Sequence, residues 1–215
     1  MTRPIAAVAA LFFAAVSCTG NNGTPRAGSN GSTNTASLKA GATAANAEVT
    51  GKLASKLAPP ASLVSLELQD GGEMPVRSDP AIMDQVTLVF LPAFLVAQAG
   101  QPVEFRNSED VLHNIRVTEV SEQKPVFNVA SPPYGKYEFK FEQPGMYTVG
   151  CDIHSTMRAD ILITSTPYTT TTNADGSFTI ANVRPGAYKL TVLGGDPVER
   201  TVEVKSGRTD LGLIQ

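Results

Sequence analysis

The residues best suited to chemistry in this sequence lie close together, within residues 144–157. Apolar and polar residues alternate at the start of this stretch, as in a half-buried strand, and the stretch then supplies Cys151, His154 and Met157 with the spacing C-x2-H-x2-M. A thiolate and an imidazole bind borderline-soft metal ions, and a thioether beside them favours copper. A trigonal site of two His and one Cys, with a weak axial Met, is the arrangement of electron-transfer copper sites. The chain has only two His, and the other is His113, so the ligand set is complete.

Each of these residues also has a purely structural interpretation. A single His or Met is more often part of a core than a ligand, and a free Cys commonly packs as a small apolar side chain. Their combined spacing after an alternating strand is much harder to explain by packing. A structural zinc site needs four nitrogen or sulfur ligands, and a binuclear copper centre needs a second Cys in the ligand loop, where this chain has Ser155. We therefore expect one mononuclear copper site and, with both His used, no enzymatic activity at a second metal.

Composition favours a turn-rich β protein. The chain has 215 residues, enough for one or two domains with a real core. Only 17% of its residues are charged, while Gly (18) and Pro (15) are abundant, which suits an all-β fold better than a helical one. The net charge of −3 and the absence of any basic run argue against nucleic acid as a partner.

Residues 1–18 have the features of a lipoprotein-type signal peptide. A basic residue precedes an apolar run that is too short to anchor a membrane span, and small residues lead into Cys18. This pattern resembles the lipobox of bacterial lipoproteins, in which the Cys is lipidated; ordinary secretion with cleavage nearby is the alternative. We expect an exported, periplasmic protein, with Thr19 favouring the outer membrane. Cys151 would then be a lone thiol in a compartment where thiols usually pair, and a metal bond would protect it.

The rest of the chain divides into three parts. Residues 19–47 are low in complexity and predict a flexible linker. Residues 48–165 contain seven or eight short strands separated by turns, with residues 121–133 predicted to be irregular, and this spacing favours a β-sandwich of Greek-key character. Residues 166–215 place Asp-Gly and Pro-Gly turns between alternating strands, which predicts a small antiparallel β unit.

The copper-ligand pattern resembles that of the cupredoxins, the blue-copper family that includes plastocyanin and amicyanin. The resemblance covers about residues 80 to 165, and the C-x2-H-x2-M spacing is like the short ligand loop of amicyanin. It implies that His113, Cys151 and His154 are equatorial ligands, that Met157 is axial, and that Asn114 braces the ligand loops. The residues that carry the resemblance are Phe105-Arg106-Asn107, His113-Asn114 and the run from Gly145 to Met157.

Residues 166–215 resemble the carboxypeptidase regulatory-like (prealbumin-like) β-domain. The matching runs are Asp175-Gly176-Ser177-Phe178 and Pro185-Gly186-Ala187-Tyr188. Two strand-like runs within residues 48–70 could belong to the same unit, with the cupredoxin inserted in it; the sequence leaves this and a consecutive arrangement equally open. The expected fold is therefore all-β, with a Greek-key cupredoxin sandwich and a small antiparallel β-sandwich.

The cupredoxin resemblance implies a type 1 (blue) copper protein that carries single electrons between periplasmic or cell-surface partners, such as a cytochrome or a copper enzyme, with His154 as the electron-transfer edge. Acidic residues outnumber basic ones between residues 47 and 165, which favours a basic partner. The only membrane contact expected is the lipid anchor. A copper-binding module for storage, delivery or sensing is the alternative. A structural or adhesive lipoprotein is a third possibility, against which the intact ligand set argues.

Overall fold

The structure is a computed structural model that describes residues 46–54, 62–194 and 198–215. Sixteen strands and no helix are found in these ranges, so the predicted all-β fold class is confirmed. The same residues hold no helix that could cross a membrane. The predicted signal peptide and nearly all of the predicted linker, residues 19–47, lie outside the described residues.

Nine consecutive strands form what we call the central unit. They make a five-stranded sheet of order β5-β11-β10-β7-β8 and a four-stranded sheet of order β4-β3-β6-β9. The strands are β3 (Ala81–Val86), β4 (Val89–Leu91), β5 (Phe94–Gln98), β6 (Pro102–Asn107), β7 (His113–Glu119), β8 (Lys124–Ser131), β9 (Lys136–Lys140), β10 (Gly145–Gly150) and β11 (Arg158–Thr164).

The two sheets of the central unit enclose one core because their strands alternate as the sequence predicted. In β6, Val103 and Phe105 are buried, and in β10 the inward side chains lead directly to the buried Cys151. One strand was predicted wrongly: β8 lies within residues 121–133, which were expected to be irregular. It is the edge of its sheet and largely exposed, so its pattern carries little alternation, and Pro125 is tolerated at such an edge.

The other seven strands form what we call the flanking unit. They make a three-stranded sheet of order β13-β1-β16 and a four-stranded sheet of order β12-β2-β14-β15, with a separate buried core. The strands are β1 (Ala47–Leu53), β2 (Leu63–Leu68), β12 (Thr169–Thr171), β13 (Ser177–Val183), β14 (Gly186–Leu193), β15 (Val198–Val204) and β16 (Gly207–Ile214). Along the chain, the whole central unit therefore lies between the second and third strands of the flanking unit.

Residues 69–80, which lead from β2 into the central unit, are held by two buried glutamines. The Gln98 side chain donates to the carbonyl of Pro75 (3.0 Å) and accepts the N–H of Arg77 (3.0 Å). Gln101 donates to the carbonyl of Asp79 (2.9 Å), and the Arg184 guanidinium of the flanking unit donates to the carbonyl of Glu73. Both units are thus hydrogen-bonded to the same connecting segment.

Replacing Gln98 with alanine is expected to lower the free energy of unfolding by about 2–3 kcal/mol. The change removes two hydrogen bonds from a side chain that is only 3% exposed and leaves two backbone groups without their partner. Urea unfolding of the full chain measures the loss. Gln143→Ala, at an exposed turn position, is the matched control, with an expected change within about 0.5 kcal/mol. Equal stability of the two variants would show that Gln98 does not hold the connection.

Candidate metal centre

Two hydrogen-bonded strands bring the predicted ligands together. His113 is the first residue of β7, and Cys151 directly follows β10. The strands are antiparallel, with Gly150 opposite Arg116, so the residue after β10 comes to lie beside the start of β7. The loop after Cys151 is closed at its base, because the N–H of Cys151 donates to the carbonyl of Met157 (3.2 Å) and the N–H of Met157 donates to that of His154 (2.9 Å).

Three potential ligand atoms form one cluster. The Sγ of Cys151 lies 4.0 Å from Nδ1 of His113 and 3.9 Å from Nδ1 of His154, and the two Nδ1 atoms are 3.0 Å apart. Among the described residues, no other group of three or more His, Cys, Asp or Glu side chains could hold a metal ion. His113 and Cys151 are buried and His154 is partly buried, so water has limited access to the cluster.

The spacing of these donors fits a single metal ion. Bonds to imidazole nitrogen and thiolate sulfur are about 2.0 and 2.3 Å long for zinc, and each donor separation is shorter than the sum of the two bonds that would span it. His113, Cys151 and His154 would hold such an ion, and two imidazoles with one thiolate are the His2Cys donor set that favours copper.

Met157, the predicted axial ligand, is buried at the end of the same loop. Its side chain is 1% exposed and belongs to the core that also contains Cys151. Its backbone makes both hydrogen bonds that close the loop. The fourth ligand therefore stays a prediction, which the burial of the thioether beside the ligand loop supports.

Glu109 contacts a predicted ligand, and the sequence did not predict this contact. The Nε2–H of His113 donates to the Glu109 carboxylate (2.8 Å), which leaves Nδ1 free to bind a metal. Burial raises the pKa of Glu109, but hydrogen bonds from the Leu88 N–H and from His113 outweigh it and lower the pKa overall. Asn107 fixes the loop, because its Oδ1 accepts the N–H of Glu109 (3.0 Å). Its Nδ2 donates to the carbonyls of Val111, Ser131 and Pro132.

Replacing Glu109 with glutamine is expected to raise the reduction potential of the copper-loaded protein and to weaken Cu(II) binding by about tenfold. The carboxylate makes His113 a stronger donor and places a negative charge near the metal, and both effects favour Cu(II) over Cu(I). Voltammetry and competition with a Cu(II) chelator measure the two changes. Glu122→Gln, which removes an exposed carboxylate, is the control. An unchanged potential in E109Q would show that the His113 contact does not tune the site.

Asn114, the predicted brace, is the second residue of β7, and its side chain contacts the ligand loop. Its Oδ1 accepts the N–H of Asp152 (2.6 Å) and lies 3.2 Å from the Cys151 sulfur. The N–H of His154 is directed at the same sulfur (3.4 Å). Hydrogen bonds around a ligating sulfur tune the potential of a metal site, so the sulfur environment is set by the loop and by β7 together.

Several exposed apolar residues adjoin the residues of the cluster along the chain or through hydrogen bonds. Leu112 and Ile153, each 51% exposed, directly precede His113 and His154. Leu88 and Tyr134 are linked to this surface through Glu109. The Glu109 carboxylate accepts the N–H of Leu88, and the Glu109 backbone carbonyl accepts the N–H of Tyr134. We call this surface the apolar rim; its members are Leu88, Val111, Leu112, Tyr134 and Ile153.

Comparison with known proteins finds one matching family model and a set of similar solved structures. The family model of the carboxypeptidase regulatory-like domain matches residues 156–212. This match starts just before β11 of the central unit and does not include β1 or β2, the earlier strands of the flanking unit. No curated protein sequence matches the chain.

The similar solved structures include cupredoxins and a copper-containing nitrite reductase. Amicyanin from Paracoccus versutus is 17% identical, with a TM-score of 0.37 over 46% of this chain and 98% of amicyanin. A purple cupredoxin from Nitrosopumilus maritimus is 22% identical, with a TM-score of 0.35 over 39% of this chain and 99% of its own. A copper-containing nitrite reductase from Thermus scotoductus is 25% identical over 43% of this chain, with a TM-score of 0.37, but only 24% of the reductase is covered. The chain is thus similar to the cupredoxins and, over residues 156–212, to the carboxypeptidase regulatory-like domain, as its sequence predicted.

Proposed function

We propose that this chain is a type 1 copper protein that carries single electrons between other redox proteins. The observation that carries the proposal is the cluster of His113, Cys151 and His154, whose donor atoms lie within 4.8 Å of one another at one end of a β-sandwich. One thiolate and two imidazoles suit both oxidation states of copper, and a buried thioether favours the reduced one.

The chain's own residues account for the properties that an electron carrier needs. Bound copper would supply the change of one electron. Two strands and a hydrogen-bonded loop fix the donors, so little rearrangement accompanies that change. Burial of His113 and Cys151 excludes water, whereas His154 is partly exposed beside the apolar rim. We infer that a partner docks on this rim and exchanges electrons through the His154 ring.

The partner and the cellular location that we propose are those expected from the sequence. We propose a redox protein such as a cytochrome or a copper enzyme as partner, a basic one given the acidic excess of residues 47–165. Export to the periplasm and anchoring through a lipid on Cys18 remain part of the proposal, as does the role of carrier rather than enzyme. No nucleic acid is expected as a partner.

The test is to load the full chain with Cu(II), record its visible absorption and electron paramagnetic resonance, and measure electron self-exchange between the Cu(I) and Cu(II) forms by NMR. An intense visible band with reversible reduction and fast self-exchange is expected for a carrier. Slow self-exchange, together with rapid loss of copper to a chelator, would favour copper storage or delivery instead. A protein that binds Cu(II) without an intense band would overturn the type 1 assignment.

A further inference from the structure

A network of polar side chains lies directly against the cysteine of the cluster. Asp152, the residue after Cys151, accepts a hydrogen bond on Oδ1 from Arg116 (2.7 Å). Its Oδ2 accepts from the side-chain amides of Asn128 (2.9 Å) and Asn114 (3.1 Å). The Asn114 amide also donates to the Oδ1 of Asn128 (2.8 Å). Four side chains from two strands and the ligand loop are therefore joined.

The network fixes which way the Asn114 amide points. Its Nδ2 faces two acceptors, one on Asn128 and one on Asp152, so its Oδ1 must face the ligand loop. There it accepts the N–H groups of Asp152 (2.6 Å) and Ile153 (3.4 Å). The two acceptors on one side and the loop N–H groups on the other favour the same orientation of the amide.

The register of three strands builds this arrangement. Gly150 on β10, Arg116 on β7 and Asn128 on β8 are successive partners in one row across the sheet. A Cβ added at Gly150 would lie 3.1 Å from the Arg116 guanidinium, so the absence of a side chain there lets the guanidinium cross β10 and reach Asp152. Gly150, Arg116, Asn128 and Asp152 thus lie together on the face of the sheet that points away from the core.

We propose that Arg116, Asn128 and Asp152 are positioning residues for the copper site. They hold the Asn114 amide against the ligand loop, and the Asp152–Arg116 pair places balanced charges beside Cys151. This inference rests on the proposed function for its effect on copper, while the positioning itself is a property of the metal-free chain. We call these three residues and Asn114 the loop clamp.

The loop clamp predicts opposite shifts for two charge-removing changes in the copper-loaded protein. Asp152→Asn removes a negative charge beside the thiolate and is expected to raise the reduction potential. Arg116→Gln leaves that charge unbalanced and is expected to lower it. Each variant should also lose copper to a chelator about tenfold faster than the parent, as is usual when a contact behind a metal ligand is lost.

The double variant R116Q/D152N separates charge from positioning. Its net charge equals that of the parent, so the potential is expected to return towards the parent value, whereas the copper–sulfur stretching frequency and the faster copper loss should stay altered. E104Q/R106Q removes another ion pair, on the opposite sheet, and should leave every readout unchanged. Potentials that do not move in either single variant, or that move in the same direction, would overturn the proposal.

A metal-free measurement keeps this test separate from that of the proposed function. Cys151 is 3% exposed, so its alkylation in the copper-free full chain, followed by mass spectrometry of its own peptide, reports how firmly the loop is held. The charge-neutral double variant R116Q/D152N is expected to speed this alkylation by roughly fivefold or more relative to E104Q/R106Q, because losing the hydrogen bonds to the loop makes its local opening easier. An unchanged rate would overturn the positioning role even if copper binds, and a faster rate would support it even if the protein were no electron carrier.

Discussion

Replacing Cys151 with serine is expected to abolish the intense visible absorption of the copper-loaded protein. The band arises from charge transfer between the thiolate and copper, and a serine hydroxyl is neither soft nor ionised at neutral pH. Contacts behind a ligand are typically worth 10–100-fold in metal affinity, so loss of the ligand itself should weaken Cu(II) binding by more than about a hundredfold. Absorption spectroscopy and chelator competition measure the two effects.

The chain supplies a matched control for this change. Cys18→Ser makes the same substitution at the other cysteine, which lies in the predicted signal peptide, and should leave the colour intact. Circular dichroism of C151S should show a retained β fold, because serine has almost the volume of the cysteine it replaces. A C151S protein that kept its intense band would show that the chromophore is not the cluster of His113, Cys151 and His154.

A chain of residues 166–215 alone is expected not to fold. Although these residues resemble a complete domain in sequence, they lack β1, the middle strand of one sheet, and β2, which lies between β12 and β14 in the other. They also lack the six apolar side chains of these two strands that are at most 7% exposed: Ala47, Val49, Leu53, Leu63, Val64 and Leu66. Each sheet would lose inner hydrogen bonds and core contacts together, at a cost of several kcal/mol. Circular dichroism and urea unfolding of this fragment should show no cooperative transition.

The converse change should give a folded protein. Ser65 pairs with Thr169, and the N–H of Leu66 donates to the carbonyl of Tyr168. Strand β2 and the residues that lead into β12 are therefore adjacent and antiparallel, as in a β-hairpin. Joining residue 68 to residue 166 through a short glycine-rich turn would remove the central unit without separating these strands. A cooperative transition in this protein and none in the fragment is the expected pair of results. A fragment 166–215 that folds cooperatively would contradict the pairing of β1 and β2.

The ligands of the candidate site could be predicted because they are rare residues at short range. The chain has two His and two Cys, and three of the four predicted ligands lie within seven residues of one loop. Glu109 and Asp152 are among 20 acidic residues, and nothing in the sequence distinguishes them. The role of Asp152 depends on the register of β7 and β10, which places it against Arg116. The role of Glu109 depends on the conformation of the loop between β6 and β7, which brings it against His113.

The strand pairing could be predicted only in part, for a related reason. Alternation reveals a strand and its buried face, as in β6 and β10, but it does not identify the partner strand. The runs that became β1 and β2 were compatible with either unit, since both units bury one face of each strand. The exposed edge strand β8 shows too little alternation to be recognised, because burial on one face is what creates the pattern.

The insertion of the central unit between β2 and β12 sets an order of assembly during synthesis. All strands of the central unit have been made once Thr164 is added, and their widest pairing, of Phe94 with Asp160, spans 66 residues. β1 instead pairs with β16, where Ala47 lies opposite Gly207, about 160 residues later. Because contacts between distant residues form slowly and a chain folds as it emerges, the copper-binding end can be complete while β1 and β2 still wait for their partners. The first strands to be made are thus among the last to be folded.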